Sequence, residues 1–390
     1  MKLKEQPIHQ PIDKHNQHPE THKGREPKLA KYFHAMMKAD ASDLHLRANS
    51  VPYVRVRAKV FPTQAEPVSA KEIAEMANEL MTEKQAAFFE DTGNIDIAHE
   101  LAGLDRFRIN VFRQRGNVAI AVRRVLREVP DFNSLNLPSV LEKVAMEHHG
   151  LVLLSGASGS GKSTTIASMI EYVNQNRPCH VLTIEDPIEY LFQDKKSIVS
   201  QREIGIDCDS FETALKYLMR EDPDVVLIGE MRDHETFTAA LQAAETGHLV
   251  FGTVHASSSS QTIGRILDLV GPENRDVYRQ ALAFNLRAVI CQMLLPSIAD
   301  GLDRVPAIEV MLMNPSVRQF IRESREQELP EVIRNSQREG MQTFTHSLIE
   351  LIDKDYIDPQ VAYDVAPNAE ELKMHMKGIT SSQSGLIGRS

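Results

Sequence analysis

The chain has 390 residues, of which 42% are hydrophobic and 25% are charged, and its net charge is −10. This length predicts two or three domains, and this composition is typical of folded globular proteins rather than disordered ones. The negative charge disfavours non-specific binding along nucleic acids, so a role there would need a local basic patch.

Cysteine usage and hydropathy predict where the protein works. The three cysteines, Cys179, Cys208 and Cys291, form no C-x-x-C pair, which supports neither a disulfide framework nor a zinc ribbon. We therefore expect reduced, buried thiols. No apolar run approaches the roughly 18 residues of a transmembrane helix, and the first ten residues lack the apolar region of a signal peptide. These features predict a cytoplasmic protein that does not insert into a membrane.

The N-terminal part of the chain begins with a polar tail. Residues 1–26 are rich in Pro, Gln, Lys and His, and we expect them to be disordered. Regular patterns follow and predict a helix over 29–38 and strands over 41–46 and 51–61. One longer helix is predicted over 69–91, because this run opens on a capping box and stops just before a glycine.

The next stretches alternate between apolar and polar residues. They predict strands over 94–101, 105–116 and 117–126. The last two strands are expected to meet in a hairpin turn at Gly116–Asn117. Together these elements predict an antiparallel α+β domain over residues 27–126, followed by a linker over 127–140.

After Gly150 the pattern changes. The short apolar runs LVLLSG, HVLTIED, DVVLIGE and HLVFGTVH are separated by helical stretches. Continuous apolar strands with helical crossovers predict a parallel sheet covered on both faces, which we place over residues 141–275. Residues 276–378 are predicted to be mostly helical, apart from a strand at PAIEVMLM, and residues 379–390 are expected to be disordered.

A phosphate-binding loop is the strongest motif. GASGSGKS directly follows the strand LVLLS and opens a helix, which matches G-x-x-x-x-G-K-[ST] in its required context. Its glycines let backbone amides curl round the phosphates, Lys162 adds a positive charge, and the Ser163 hydroxyl can ligate Mg²⁺. The residues expected to bind nucleotide are Gly156, Ser158, Gly159, Ser160, Gly161, Lys162, Ser163 and Thr164. Nothing in this loop selects adenine over guanine.

Acidic residues follow two other apolar strands. Glu185, Asp186 and Glu189 come after HVLTI, and Glu230 and Asp233 come after DVVLI. Ligands of open parallel sheets bind beyond the carboxyl ends of the strands, so we expect these carboxylates near the phosphate-binding loop. Each acid could instead be a solvated helix cap. That alternative is weakest for Glu230, which follows four apolar residues and a glycine.

Two histidines bracket the strand HLVFGTVH. His248 and His255 are seven residues apart, so an untwisted strand would place them on opposite faces. His255, at the carboxyl end, is the better candidate for sensing the γ-phosphate. His248 taken alone is more often structural.

These segments together resemble the secretion-type ATPases, and more closely the type IV pilus retraction ATPases. The resemblance rests on ASDLHL, RFRINVF, GASGSGKSTT, TIEDPIEY, REDPDVVLIGEMRD, TGHLVFGTVH and SVRQFIRE, in this order. It implies a PAS-like α+β N-terminal domain, then a RecA-like P-loop NTPase core with a helical C-terminal segment. It also implies a homohexameric ring that hydrolyses ATP with Mg²⁺.

The resemblance further implies roles for single residues and for a partner. Glu189 would activate water, Glu230 would lie near Mg²⁺ together with Ser163, and His248 and His255 would form a pair at the nucleotide. The implied partner is a pilus platform protein of the inner membrane, which would bring the motor to the inner face of the cytoplasmic membrane.

The C-terminal motif departs from the family pattern. SVRQFIRE stands where relatives usually have AIRNLIRE, although the arginines keep their places. At helical spacing Val317, Phe320 and Ile321 form a stripe that we expect to pack on the core, and Arg318 and Arg322 form a basic stripe. The resemblance implies that the basic stripe couples the motor to its partner, with solvated charge as the alternative. Relatives that extend pili usually carry a four-cysteine zinc motif, and this sequence has no such motif. Its absence favours a role in pilus retraction over one in extension.

Arginines cluster in the N-terminal module, at positions Arg106, Arg108, Arg113, Arg115, Arg123, Arg124 and Arg127. They could form a nucleic-acid footprint, reach the nucleotide, or be ordinary surface residues. An arginine finger accelerates phosphoryl transfer by about 10³–10⁵, and the core offers no other obvious finger. We therefore favour Arg108 and Arg113 as nucleotide-facing.

The leading hypothesis is a cytoplasmic, Mg²⁺-dependent ATPase motor that retracts a type IV pilus. A secretion or conjugation ATPase of the same superfamily would share every nucleotide motif. A nucleic-acid translocase is the alternative from another class, and the net charge of −10 and the 6% aromatic content argue against it. A regulatory subunit that binds nucleotide without hydrolysis is disfavoured by the intact Lys162, Glu189 and Glu230.

Overall fold

The computed structural model of the protein describes residues 27–56, 59–101 and 105–376. The tails predicted to be disordered, 1–26 and 379–390, lie outside the described residues. The chain divides between Val125 and Leu126 into an N-terminal unit and a C-terminal unit.

The N-terminal unit is an antiparallel sheet with helices on one face. Its elements are α1 Ala30–Lys38, β1 Asp43–Leu46, β2 Tyr53–Val56, β3 Lys59–Pro62, α2 Ala70–Leu80, α3 Glu83–Thr92, β4 Asn94–Glu100, β5 Arg106–Gln114 and β6 Asn117–Val125. The strand order is β3-β2-β1-β6-β5-β4. Phe107 and Ile109 of β5 are buried, and Phe107 stacks on Phe33 of α1 with 4.1 Å between ring centroids. The α+β prediction is confirmed.

The long helix predicted over 69–91 is in fact two helices, α2 and α3. The chain is extended at Thr82, which starts α3 with a capping box of its own. The Thr82 side chain accepts from the backbone N–H of Gln85, and the Gln85 side chain accepts from the backbone N–H of Thr82. A second cap inside an apolar pattern is a break that periodicity alone overlooks.

The hairpin between β5 and β6 turns one residue earlier than predicted. Gln114 pairs with Asn117, so the loop residues are Arg115 and Gly116, with φ of 50° and 77°. Positive φ at both positions is the turn geometry that matches the twist of the strands. Arginine rarely adopts it, which is why the Gly-Asn pair was the stronger sequence signal.

The C-terminal unit alternates strands and helices and then ends in helices. Its elements are α4 Val140–Ala145, β7 Gly150–Ser155, α5 Lys162–Asn176, β8 His180–Glu185, β9 Ile198–Glu203, α6 Phe211–Leu218, β10 Val225–Ile228, α7 His234–Glu245, β11 Leu249–Val254, α8 Ser259–Asp268, α9 Arg275–Asn285, β12 Leu286–Pro296, β13 Arg304–Leu312, α10 Pro315–Arg322, α11 Leu329–Asn335, α12 Phe344–Asp353, α13 Pro359–Val365 and α14 Ala369–Met376.

The strands of this unit form one sheet in the order β13-β12-β7-β11-β10-β8-β9. Neighbouring strands are parallel except β12 and β13, which are antiparallel. Strands β7, β10 and β11 are buried along their whole length, which explains their continuous apolar sequences. Helices α4 and α5 pack on one face of the sheet, and α6, α7 and α8 pack on the other.

Two strands were missed by the sequence prediction, and both have a physical reason. The region after residue 276 begins in helix α9, but β12 follows over Leu286–Pro296 and pairs with β7 and β13. Its apolar run VICQMLL is as compatible with a buried helix as with a strand. Strand β9 is polar and lies at the sheet edge, where burial imposes no pattern. PAIEVMLM lies on β13, as predicted.

Two further expectations concern membranes and thiols. Within the ranges given above, no helix is long and apolar enough to cross a lipid bilayer. All three cysteines are free thiols. Cys291 is fully buried as predicted, whereas Cys179 and Cys208 are half-buried.

Candidate active site

The loop between β7 and α5 has a backbone that depends on its glycines. Gly156, Gly159 and Gly161 have φ of 151°, 76° and 88°, which residues with side chains rarely adopt. A Cβ on Gly156 would lie 2.5 Å from the hydroxyl oxygen of Ser160, and a Cβ on Gly161 would lie 2.7 Å from Nε2 of Gln292. The loop is therefore folded too tightly for a side chain at these two positions.

Lys162 begins α5 and turns its ammonium group back to the loop. Its Nζ donates to the carbonyl oxygens of Gly156 and Ala157 at 2.8 and 3.0 Å. Burial lowers the pKa of Lys162, while the charges of Glu230 and Glu189 act in the opposite direction. Phosphate oxygens are stronger acceptors than carbonyls, so a bound phosphate would compete for this cation.

A cleft opens beside the loop at the carboxyl ends of the central strands. Its lining includes Ser158, Gly159, Lys162, Ser163, Glu185, Asp186, Glu189, Tyr190, Glu230, Thr253 and His255. The structure thus brings together the phosphate-binding loop, the acids after β8, Glu230 after β10 and His255 after β11, as expected from strand topology. Asp233 is instead a helix cap, because its carboxylate accepts from the backbone N–H of Thr236 at 2.8 Å.

Glu230 contacts two side chains in the cleft. Its Oε2 accepts from Nη2 of Arg232 at 2.6 Å, and its Oε1 lies 3.2 Å from Nε2 of His255. The hydrogen bond from Arg232 lowers the pKa of Glu230 although the carboxyl is partly buried. Glu230 is therefore ionised at neutral pH, as a cation ligand must be.

Glu185 is the last residue of β8 and Glu189 follows the strand, but the two acids have different surroundings. Glu189 is exposed at the cleft. The Glu185 carboxylate accepts from Oγ1 of Thr183 at 2.7 Å and from Nε2 of Gln201 at 3.2 Å. Burial raises the pKa of Glu185 to about 7. Glu189 is thus the acid placed to reach a ligand, whereas the raised pKa of Glu185 disfavours its charged form.

Two residues fix the segment that carries Glu189. The hydroxyl of Tyr190 lies 3.1 Å from Oγ1 of Thr164 in the first turn of α5. Gln201 of β9 donates to the carbonyl oxygen of Tyr190 and accepts from the backbone N–H of Phe192, both at 2.9 Å. Neither Tyr190 nor Gln201 was predicted from the sequence. The only signal for Gln201 would have been β9 itself.

The two predicted histidines do not lie together. His255 lines the cleft. His248 precedes β11 at the amino-terminal end of that strand, about 20 Å from its carboxyl end for a six-residue strand. Its Nδ1 lies 2.9 Å from the carbonyl oxygen of Ala243, at the end of α7. The structure therefore gives His248 a helix-terminal contact and does not bring it to the cleft.

Arg108 and Arg113 lie on β5 of the N-terminal unit, whereas every residue named above as lining the cleft belongs to the C-terminal unit. Arg113 forms an ion pair with Glu90 at 2.6 Å. Arg108 stands directly opposite Arg123 in the β5–β6 register. Arg123 is itself paired with Asp43 of β1, with 2.9 Å between Nε and Oδ1.

The predicted coupling stripe lies on α10. Val317 and Ile321 are fully buried, as predicted. Arg318 and Arg322 line a shallow groove, but they are not equivalent. Nε of Arg318 donates to the carbonyl oxygen of Ala283 at 2.9 Å and so ties α10 to α9, whereas Arg322 is exposed.

Arg232 and Gln292 are further site residues that sequence reasoning missed. Arg232 stands two residues after Glu230, so proximity in sequence was a usable signal. Gln292 contacts Ser160 across 132 residues of sequence, and no local pattern marks it.

The residues present fit a nucleotide with Mg²⁺. Ser163 and the ionised Glu230 line the same cleft, and hydroxyl and carboxylate oxygens are ligands that Mg²⁺ accepts beside phosphate and water. The hydroxyl oxygen of Ser160 is buried and has no hydrogen-bond partner among the described residues. A buried hydroxyl left alone costs about 1–3 kcal/mol, which a phosphate oxygen in the loop would offset.

Comparisons with known proteins agree with this geometry. Residues 22–305 match the family model described as type II/IV secretion system protein. The twitching motility protein of Neisseria gonorrhoeae is 40% identical over 82% of this chain and 86% of its own length. The type IV pilus retractation ATPase PilT of Pseudomonas aeruginosa is 40% identical over 84% of this chain and 95% of its own. The crystal structure of the pilus retraction motor PilT with bound ADP has a TM-score of 0.82 and 41% identity, covering 89% of this chain and 99% of that one.

Proposed function

Because the chain belongs to the type II/IV secretion system protein family, in its group of pilus retraction ATPases, we propose that it is a Mg²⁺-dependent ATPase motor that retracts a type IV pilus. One observation carries the proposal. Lys162, Glu230 and His255 converge in one cleft, in a chain similar to retraction ATPases over more than four fifths of its length.

Nucleotide binding falls to the loop and the start of α5. Backbone N–H groups of the loop would bind the phosphates at the positive end of the helix, and Lys162 would exchange its carbonyl partners for phosphate oxygens. Ser163 and Glu230 would hold Mg²⁺. When bound, this ion neutralises charge that develops on the phosphate oxygens.

The acidic residues divide the chemistry. Glu189 is exposed in the cleft and orients the attacking water, accepting its proton. Glu230 is held by Arg232 and stays ionised. Nε2 of His255 lies 3.2 Å from Oε1 of Glu230, so a change at the γ-phosphate position would affect both side chains.

Arginines of the N-terminal unit would complete the site from a neighbouring subunit. Arg113 is held by an exposed ion pair with Glu90, whose side chains are 42% and 70% exposed. Such a pair contributes about 0.2–1 kcal/mol, so the arginine can leave it for a phosphate. We assign Arg108 and Arg113 this role in a homohexameric ring.

The motor would act at the inner face of the cytoplasmic membrane through a pilus platform protein. The exposed Arg322, beside Arg318 in the groove of α10, is the surface that we assign to this contact. Retraction is favoured over extension because the sequence has only three cysteines, too few for the four-cysteine zinc motif usual in extension ATPases.

The proposal is tested by ATP turnover and by pilus retraction. The purified wild-type chain should release phosphate from ATP only when Mg²⁺ is present, and Lys162→Ala should abolish both binding and turnover. In a host lacking its own retraction motor, the wild-type gene should restore retraction and the Lys162→Ala gene should not. Turnover by Lys162→Ala within about threefold of wild type would refute the phosphate-binding role.

A further inference from the structure

Gln292 lies where β12 runs past the end of β7. In this parallel pair Cys291 stands opposite Ser155, the last residue of β7, so Gln292 follows just where the phosphate-binding loop begins. Gln292 is only 3% exposed to solvent. A buried amide needs partners for both its oxygen and its nitrogen.

Both ends of the Gln292 amide are used, and both partners belong to the phosphate-binding region. Nε2 donates to the carbonyl oxygen of Ser160 at 2.8 Å. Oε1 accepts from the hydroxyl of Thr165 at 2.8 Å. Ser160 is inside the loop and Thr165 is in the first turn of α5, so one side chain joins the loop to the helix.

The glycines of the loop pack against the same residue. A Cβ on Gly156 would collide with the main-chain oxygen of Gln292, and a Cβ on Gly161 would lie 2.7 Å from its Nε2. Real Cβ atoms do not approach other atoms this closely. Glycine at positions 156 and 161 therefore has two roles. It adopts positive φ, and its missing side chain leaves room for Gln292 to pack against the loop.

The hydrogen bond to Ser160 sets the orientation of a peptide group. The Ser160–Gly161 peptide is trans, and in a trans peptide the C=O and the N–H point in opposite directions. Because Gln292 holds the carbonyl oxygen, the N–H of Gly161 points away from Gln292. Free backbone N–H groups of this kind are the phosphate ligands of such loops.

We infer that Gln292 is a positioning residue for nucleotide binding, which holds the phosphate-binding loop in its binding conformation before nucleotide arrives. The inference rests on the proposed function of the loop. Gln292 need not touch nucleotide itself. Without it, binding would have to order the Ser160–Gly161 peptide, and the affinity would fall by the free energy of that ordering.

The test is calorimetric titration of the full chain with ADP, together with steady-state ATP turnover. Gln292→Leu keeps the volume and removes both hydrogen bonds, so ADP affinity should fall about 10- to 100-fold, as expected for two lost bonds and an unpaired buried carbonyl. KM for ATP should rise in parallel. The kcat at saturating ATP should stay within about threefold, because Glu189 and Glu230 are unchanged.

Two further variants separate positioning from general damage. Thr165→Val removes one bond and should weaken ADP binding about 2- to 10-fold. Combined with Gln292→Leu it should add nothing, because the contact is already lost. Gln292→Glu keeps the acceptor for Thr165 but places a carboxylate against the Ser160 carbonyl, so it should bind at least as weakly as Gln292→Leu. If Gln292→Leu fails to fold, Gln292→Glu and Thr165→Val decide the question.

Gln342→Leu is the matched control. Its Nε2 donates to the carbonyl oxygen of Ile308 on β13 at 3.0 Å, so the same substitution removes a bond to the same sheet outside the loop. Its ADP affinity should equal wild type. Folded Gln292 variants that bind ADP within twofold of wild type, while Lys162→Ala does not bind, would overturn this inference alone. A wild-type chain that binds no ADP would overturn the proposed function and this inference together.

Discussion

Glu185 is an acid whose burial links stability to pH. Its pKa is raised to about 7 from an ordinary value of 4.5, chiefly by burial. Between these values the folded chain keeps a proton that the unfolded chain has released. The contribution of Glu185 to stability is therefore fully present below pH 4.5 and is lost as pH rises through 7.

We expect Glu185→Gln to remove this pH dependence, because the amide resembles the protonated carboxyl and cannot ionise. The free energy of unfolding of the variant, relative to wild type, should rise by up to about 3 kcal/mol between pH 5 and pH 8. Urea unfolding of both proteins at the two pH values measures the difference. A difference that is the same at both pH values would mean that Glu185 titrates normally.

Glu189 and Glu230 should affect turnover rather than binding. Glu189→Gln and Glu230→Gln keep the side-chain volume and remove the charge, so each should lower kcat about 10²- to 10⁴-fold while ADP affinity changes by less than about fivefold. Phosphate release and ADP titration on the same preparations separate the two effects.

Asp233→Asn provides the control for these acids, because Asp233 caps α7 and asparagine caps a helix equally well. Its kcat should stay within about twofold of wild type. If only one of Glu189 and Glu230 proves important, the role assigned to the other is wrong.

Single residues were predictable where the chemistry sits directly after a buried strand. Lys162, Glu230 and His255 follow β7, β10 and β11, and strand topology alone brings them together. Gln201 and Gln292 were not predictable, because each lies on a strand that was missed. Gln292 in addition acts on a segment 132 residues away in sequence. A polar residue in an undetected strand carries no local signal of its contacts.

Helix α10 is the element in which a substitution should abolish pilus retraction without abolishing ATP hydrolysis. We expect Arg322→Ala to leave ATP turnover within about twofold and to abolish retraction, because this exposed side chain is distant from the cleft in sequence and makes no contact with it. Arg318→Ala is a less specific test of coupling, because it also breaks the hydrogen bond to Ala283 that ties α10 to α9. ATPase activity and retraction force should be measured on the same variant.

Arg334→Ala on α11 is the matched control for this substitution. Arg334 is also a surface arginine, paired with Glu331 and Glu371 outside the groove of α10. It should keep both activities. Loss of turnover together with retraction in Arg322→Ala would make α10 a structural element, and retention of both would place coupling on another surface.

Elements were predictable where periodicity and caps agree. Strands β5 and β6 follow their alternation, and β7, β10 and β11 follow their apolar runs. The division between α2 and α3 was missed because the apolar pattern continues across Thr82, where only local capping bonds end one helix and begin another.

The assignment of arginines to a neighbouring subunit makes a prediction for the whole assembly. Arg113→Ala chains and Lys162→Ala chains should each be inactive alone. Mixed in equal amounts and reassembled, they should regain activity at about one quarter of their subunit interfaces, where an intact loop meets an intact arginine. Phosphate release by the mixture measures this, after light scattering has shown a ring.

The same mixture can contradict the assignment. If an arginine acted on the loop of its own chain, no interface of the mixture would be complete. Inactivity despite proven co-assembly would therefore favour an arginine supplied within one chain, and a strict monomer would remove the basis for a shared site.

At the scale of the whole chain, the sequence was sufficient to predict two folded parts and the class of each. Burial sets both the alternating apolar pattern before residue 126 and the succession of strands and helices after Gly150. Periodicity in the sequence reports burial directly. The arrangement of subunits was implied only by the family resemblance, because periodicity reports burial within one chain and carries no signal for contacts between chains.

The place of β12 beside β7 has a consequence for biosynthesis. Gln292 leaves the ribosome 132 residues after Ser160, whose carbonyl it holds. At roughly 5–20 residues per second this delay is about 7–26 s. Glu189, Glu230 and His255 are translated within that interval. By its end every nucleotide motif has been made, yet the flank of β7 that β12 will cover is still open. A fragment cut after residue 275 would keep this immature state permanently, so expression for biochemical work should extend at least through β13.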